Sequence, residues 1–222
     1  MKNIIEKSYL LILILMLGIC ACKKNNFHGQ NGQNGQNGQN GHNCTLTVDG
    51  NGISSTKAVN LSNFTGIANY TSINIECKRG NTQEVVLFGD ENIIPFVKLE
   101  VINGLLSFKL QDDICLNNFN LRAEVTVPTF DHLEIRGSGN FNTSTAFVTN
   151  QLLLDIQGSG NMDLFSTSTN DCTAIIAGSG NINITAQNTL NLTINGSGNV
   201  YYRGNPTITQ AINGSGNLFN AN

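Results

Sequence analysis

Residues that could form a catalytic triad lie close together at one point of the chain. Asp131, His132 and Ser138 fall within a stretch of eight residues, and nucleophilic catalysis by a triad needs these three residue types in contact. However, Ser138 belongs to a tetrapeptide, Gly-Ser-Gly-Asn, that occurs five times, whereas His132 does not recur. A serine that returns in every repeat is typical of a turn. The sequence therefore predicts no catalytic residue and no enzyme.

A pair of carboxylates is the second candidate for chemistry. Glu134 and Asp155 each stand three residues before a copy of the tetrapeptide, and paired carboxylates can bind calcium or act as acid and base in glycoside hydrolysis. The same position in the later copies holds Ile175, Thr193 and Ala211, so no acidic groove continues. We expect a solvated outer face here, with no metal site and no cofactor.

The repeated tetrapeptide organises the C-terminal half of the chain. Its copies are 21, 20, 18 and 18 residues apart, and a fixed turn signature with such a period is typical of a solenoid. Two glycines and an asparagine are expected to supply positive φ angles at a tight corner. Stacked corners would place Asn over Asn at about 4.8 Å, the strand spacing, as a hydrogen-bonded ladder. The predicted turn glycines are Gly137, Gly139, Gly158, Gly160, Gly178, Gly180, Gly196, Gly198, Gly214 and Gly216.

The residues around each corner alternate between apolar and polar. Such alternation predicts strands with one buried face, and an isoleucine stands two residues before every copy, at Ile135, Ile156, Ile176, Ile194 and Ile212. We interpret these as a buried column inside a right-handed parallel β-helix, the alternative being an antiparallel meander. Gln210 and Asn220 occupy inward positions of the last copy, which is typical of a terminal coil in contact with water.

The region before the repeats has a different pattern. Apolar runs between residues 73 and 127 predict strands, and Gly80-Asn81 and Asn103-Gly104 between them favour hairpins. The sequence therefore predicts an all-β protein in which a hairpin-rich region precedes the β-helix within one domain, residues 45–222. A net charge of −3 without a basic stripe argues against a nucleic-acid partner.

The N-terminal segment predicts export and lipid attachment. Residues 1–21 combine an early positive charge with a short apolar run, as signal peptides do, and Ala21 before Cys22 resembles a bacterial lipobox. We expect acylation of Cys22 and a membrane partner through that anchor, the alternative being an ordinary secretory signal. Residues 22–44 contain four Gln-Asn-Gly triplets, a composition that predicts a disordered tether.

Four cysteines remain for the exported domain: Cys44, Cys77, Cys115 and Cys172. Four cysteines allow three pairings, and the spacing does not choose among them. We expect at most two disulfides, with Cys172 in an inward position that suits a buried free thiol.

The chain resembles a known family, the auto-transporter adhesin head GIN domain of Bacteroidetes. The resemblance rests on the stretch from Val127 to Ile135, the repeated Gly-Ser-Gly-Asn and the sequence Tyr-Tyr-Arg-Gly-Asn-Pro at residues 201–206, and it covers about residues 45–222. It implies a right-handed β-helix, no catalytic residues and a role in adhesion. With the lipobox, it places the protein in the bacterial cell envelope as an outer-membrane lipoprotein.

Three functions follow as expectations. The first is binding of a glycan or a cell-surface protein, with Tyr201 and Tyr202 as ligand contacts, against the alternative that these rings only pack. The second is an enzyme acting on polysaccharides, for which the carboxylates are too few. The third is a homo-oligomer formed end to end, because the last copy lies close to Asn222 and an end coil exposes unpaired strand edges.

Overall fold

The computed structural model describes residues 44–222, and nearly all of their regular structure is β-strand. A three-residue 3-10 turn, Ile94–Phe96, is the helical exception within this range, and no helix in it is long and apolar enough to span a membrane. The strands are β1 Leu46–Asp49, β2 Ser54–Val59, β3 Gly66–Asn69, β4 Asn74–Arg79, β5 Glu84–Asp90, β6 Val97–Ile102, β7 Leu105–Leu110, β8 Ile114–Asn117, β9 Leu121–Val127, β10 His132–Ile135, β11 Phe141–Thr143, β12 Phe147–Ile156, β13 Met162–Ile176, β14 Ile182–Ile194, β15 Val200–Arg203, β16 Thr207–Ile212 and β17 Leu218–Asn220.

Fifteen of these strands form one mixed sheet, and β1 pairs with β8 in a separate two-stranded sheet. The large sheet has the order β2-β5-β9-β4-β11-β13-β12-β10-β3-β7-β6, and β14 to β17 extend it from β13. The pairs β2–β5, β5–β9 and β6–β7 are antiparallel, and the other pairs are parallel. The prediction of an all-β protein is confirmed, and mixed pairing describes the sheet as a whole.

The C-terminal strands place the repeats in register. The five isoleucines before the corners are successive partners in the parallel pairs of β10, β12, β13, β14 and β16, which excludes the antiparallel meander. The first four are fully buried, but Ile212 is 37% exposed. The expected buried column therefore ends at Ile194, because β16 has no further strand beyond it among the described residues.

The turn glycines are needed for a different reason from the one that the sequence suggested. None of the ten glycines of the tetrapeptides has a positive φ, and the asparagines that follow them have none either. Instead, a Cβ on any of them would lie 1.8–2.1 Å from a carbonyl oxygen of the preceding corner. Ser159, for example, donates its N–H to the Gly137 carbonyl at 3.0 Å, so stacking draws the two backbones too close for a side chain.

The asparagine ladder is present. Asn161 donates its backbone N–H to Oδ1 of Asn140 at 2.8 Å and its Nδ2 to the same oxygen at 3.1 Å. Asn181 repeats both contacts on Asn161, and the backbone N–H groups of Asn199 and Asn217 continue the series at 2.8 and 2.9 Å.

The ladder begins one rung before the first tetrapeptide. Both the backbone N–H and Nδ2 of Asn140 donate to Oδ1 of Asn74, which opens β4. That strand is parallel to β11, and β3 is parallel to β10. Residues 66–79 therefore form a further coil of the stack, which the sequence did not reveal because its corner lacks glycine.

One of the two predicted hairpins is confirmed and the other is wrong. The turn Asn103-Gly104 joins the antiparallel strands β6 and β7 with φ values of 51° and 77°, as a type I′ turn requires. Gly80-Asn81 joins β4 and β5, but these strands do not pair, because β9 lies between them. β9 is parallel to β4 and antiparallel to β5.

The cysteines divide into one disulfide and two buried thiols. Cys44 is bonded to Cys115, next to the parallel pair β1–β8, so the four cysteines of the described residues form a single disulfide. Cys77 and Cys172 are free and lie in the hydrophobic core. Loss of hydration raises the pKa of each thiol to about 12, with the charge of Glu76 adding to the effect on Cys77.

Candidate binding surface

The outer face of β14, β15 and β17 carries an aromatic pair. Val200 is buried and Tyr202 packs against the core, so Tyr201 between them points outward. Tyr201 is the register partner of Phe219, and their rings stack with centroids 5.1 Å apart and planes 19° from parallel. Phe219 remains 41% exposed, which leaves aromatic surface available to a ligand.

A cation and a third aromatic ring lie on the same side of the sheet as this pair. The guanidinium of Arg203 stands 4.0 Å from the ring centroid of Phe165, and its Nε donates to the Ala221 carbonyl at 3.2 Å. We call Phe165, Tyr201, Arg203 and Phe219 the aromatic face. The contact places the guanidinium over the ring, as a cation–π interaction does.

Sequence reasoning named Tyr201 but not Phe165 or Arg203 of the aromatic face. Phe165 and Arg203 each stand seven residues after the first glycine of a tetrapeptide, with Thr185 at the same position between them. Thr185 pairs with Arg203, and its hydroxyl donates to the Phe165 carbonyl at 3.0 Å, although the ladder between β13 and β14 shifts register after Leu164. Aligning the repeats by their corners would have found these residues.

A row of short polar side chains leads up to Tyr201. Asn142, Asp163 and Asn183 are successive register partners in β11, β13 and β14, and Asn183 pairs with Tyr201. Nδ2 of Asn183 donates to Oδ1 of Asp163 at 3.3 Å. The row supplies amide donors and carboxylate or amide acceptors at strand spacing, directly beside the rings.

The two carboxylates considered for chemistry are engaged with neighbours. Glu134 and Asp155 are register partners, as expected, but Glu134 is only 5% exposed and not on a solvated face. It accepts a hydrogen bond from Nε of Arg136, whose Nη1 donates to Gln157 at 2.7 Å. Gln157 in turn donates to Asp155 at 3.0 Å.

The electrostatics of this cluster are those of an ion pair. Burial lowers the pKa of Arg136, but the hydrogen bond and the charge of Glu134 outweigh it, so that the pKa is raised overall. The guanidinium also lies 5.8 Å from the centroid of the Tyr70 ring. Glu134 is thus held as the partner of a permanent cation.

Three further expectations concern His132, a metal site and the N-terminal segment. His132, at the start of β10, is the register partner of Leu153 and Gly66. Within residues 44–222, no three His, Cys, Asp or Glu side chains are grouped to hold a metal ion. Cys22, the signal peptide and the tether triplets lie outside the described residues.

Comparison with solved structures finds one that shares the fold. A crystal structure described as a "putative adhesin", from Bacteroides fragilis, matches with a TM-score of 0.55 at 18% identity, over 78% of this chain and 99% of that chain. A "putative adhesin" from Parabacteroides merdae matches with a TM-score of 0.45 at 17% identity, over 79% of this chain and 99% of that chain. A "putative lipid binding protein" from Parabacteroides distasonis matches with a TM-score of 0.44 at 20% identity, over 80% of this chain and all of that chain. No curated protein sequence gives a significant match.

The family comparison confirms the resemblance seen in the sequence. Two overlapping segments, residues 63–167 and 148–206, match one family model. They cover the coil at residues 66–79, four of the five tetrapeptides and the Tyr-Tyr-Arg-Gly-Asn-Pro stretch. Because the matched segments span more than half of the chain, the protein belongs to the family described as "Putative auto-transporter adhesin, head GIN domain".

Proposed function

We propose that the protein is a non-catalytic adhesin that binds a glycan on its aromatic face. The observation that carries this proposal is the outward pair Tyr201–Phe219 beside a row of amide and carboxylate side chains. The faces of sugar rings carry C–H groups that stack on aromatic rings, and their hydroxyl groups need nearby donors and acceptors. The aromatic face and the polar row beside it supply both on rigid strands, which lowers the entropic cost of binding.

The proposed scaffold is a right-handed parallel β-helix over the C-terminal half. Support comes from the parallel pairing of each coil with the next, at an offset of one repeat, and parallel β-strand connections are right-handed in nearly all proteins. Acylation of Cys22 would anchor this head to the outer membrane of the bacterial envelope through the tether. Substitution of Cys22 by Ala should abolish partition of the mature protein into a detergent phase, whereas an anchor independent of Cys22 would leave partition unchanged.

An array of neutral and acidic glycans tests the binding proposal directly. The native protein should bind at least one glycan class, and Tyr201→Ala should weaken that binding about tenfold or more, as loss of one anchoring ring does. Tyr70→Ala is the matched control, because Tyr70 is a 40% exposed tyrosine away from the aromatic face. Equal binding by both variants would remove the aromatic face from the proposal.

The same array distinguishes binding from catalysis. An enzyme acting on polysaccharides would release shortened products during the incubation, and a lectin-like adhesin would release none. The ion pair of Glu134 with Arg136 favours the second outcome. Product release that is lost in Glu134→Gln would overturn the non-catalytic assignment.

A further inference from the structure

The two ends of the large sheet differ in how their edge strands are protected. At one end the edges are β2 and β6, and at the other they are β16 and β17, each paired on one side only among residues 44–222. Edge strands with free N–H and C=O groups invite pairing with another chain, and proteins commonly oppose this with charged side chains.

The β2 and β6 edges carry such charges. Lys57 is exposed in β2, and Lys98 and Glu100 are exposed in β6. Lys98 is paired with Asp112 at 3.2 Å and Glu100 with Lys109 at 3.4 Å. Pairing a second chain here would desolvate these groups, which is costly.

The opposite end has no such protection. Residues 204–222 contain no charged side chain, and all six residues of β16 are exposed. Ile208 and Ile212 continue rows in which Leu190 and Ile194 are buried. They are 36% and 37% exposed because no further strand covers them within the described structure.

From this difference we infer that the protein forms a two-fold dimer through the end coil built by β16 and β17. This surface is complementary to a partner with an unpaired strand edge and uncharged apolar side chains, and the end coil of a second copy has both. A head-to-tail contact would instead bury Lys57, Lys98 or Glu100 of the next copy. A contact between identical ends is also self-complementary and closes at two molecules.

Gln210 offers a substitution that separates assembly from folding. It is the register partner of Leu192 in an inward position and is exposed in the single chain. Gln210→Glu therefore keeps the side-chain shape and adds a charge that stays exposed in the monomer. In the dimer the two added charges would lie in the contact. The control is Ala58→Glu, which adds the same charge on the exposed β2 edge at the other end.

Sedimentation of the full-length protein in detergent, with the detergent contribution subtracted, measures the assembly. The native protein and Ala58→Glu should be dimers. The Gln210→Glu dimer should dissociate at a protein concentration at least about tenfold higher than the native dimer does, since like charges across a contact weaken it. A native protein that stays monomeric at its highest soluble concentration would overturn the inference. So would a dimer that Gln210→Glu leaves intact, or open-ended oligomers that Ala58→Glu disrupts. Equal circular dichroism of the three proteins shows that the comparison is between folded molecules.

Discussion

The corner at residues 69–74 and the five Gly-Ser-Gly-Asn corners turn the chain at equivalent points of the stack with different chemistry. In the tetrapeptides, the absence of side chains lets each corner lie directly on the one before it. In the earlier corner, Asn69 and Thr71 are buried and bond to the turn itself. Nδ2 of Asn69 donates to the Ile73 carbonyl at 2.7 Å, and its Oδ1 accepts from the backbone and the hydroxyl of Thr71 at 3.0 and 2.7 Å.

The difference follows from what each corner rests on. The coil before β3 and β4 in the stack is made by β7 and β9, whose connection, residues 111–120, includes β8 and is no four-residue corner. Side chains fit there, and the polar network fixes the turn. Each tetrapeptide rests on a tight corner, so space decides its composition. Glycine in this fold is therefore a consequence of stacking on an equivalent corner.

The largest expected effect tests the role of close stacking. In Gly160→Ala the new Cβ would lie 1.9 Å from the Gly139 carbonyl, between two backbones that are both held by the ladder. We expect a loss of at least about 3 kcal/mol in the free energy of unfolding, as for severe overpacking. Urea denaturation followed by circular dichroism measures it.

Gly52→Ala is the control for this experiment. Gly52 has a φ of +72° but no atom within 4 Å of an added Cβ, so only backbone strain of about 1–2 kcal/mol is expected. If Gly52→Ala cost more than Gly160→Ala, conformational freedom rather than close approach would govern the glycines.

An intermediate effect separates the two kinds of corner. Asn69→Ala would leave the Thr71 N–H and the Ile73 carbonyl without their buried partner, and we expect a loss of about 2–4 kcal/mol. Asn161→Ala removes one rung of the exposed ladder, where water can replace the bonds, and should cost about 1 kcal/mol. Denaturation of the two variants under one set of conditions gives the difference. Equal losses would mean that the ladder stabilises the repeats as strongly as the buried network stabilises the coil at residues 66–79.

The same contrast explains what the sequence could predict. The register of the tetrapeptide coils was predictable because each coil carries its own copy of the corner and of the preceding isoleucine. The insertion of β9 between β4 and β5 was not, because Gly80-Asn81 reports only the local turn and β9 begins 40 residues later, at Leu121. The glycines were correctly placed at the corners, but the predicted positive φ angles were wrong. The type of a residue does not show which backbone lies against it. At the candidate site, Tyr201 was proposed as an aromatic residue on a terminal coil, whereas Phe165 and Arg203 required the alignment of coils.

The last test uses the two buried thiols, one in each region, whose effect is negligible at neutral pH and grows as the pH rises. Cys77 lies in β4, in the coil at residues 66–79, and Cys172 lies in β13 of the repeats. Burial raises the pKa of both to about 12, whereas the pKa of a thiol in an unfolded chain is about 8.5. Stability from these groups is therefore fully present below about pH 8.5 and falls as the pH rises toward 12, because only the unfolded chain loses the protons. Each thiol should contribute a slope of about 1.4 kcal/mol per pH unit in this window.

Variants isolate the slope from other groups that titrate in the same range. Cys77→Ala and Cys172→Ala should each remove one thiol's share, and the double variant both, as seen by urea denaturation at several pH values between 8 and 11. The Ala substitutions also cost packing, but that loss is independent of pH. An unchanged slope in Cys77→Ala alone would mean that the coil at residues 66–79 unfolds locally below the pH range of the titration, so that the Cys77 thiol is already in contact with water in the native state.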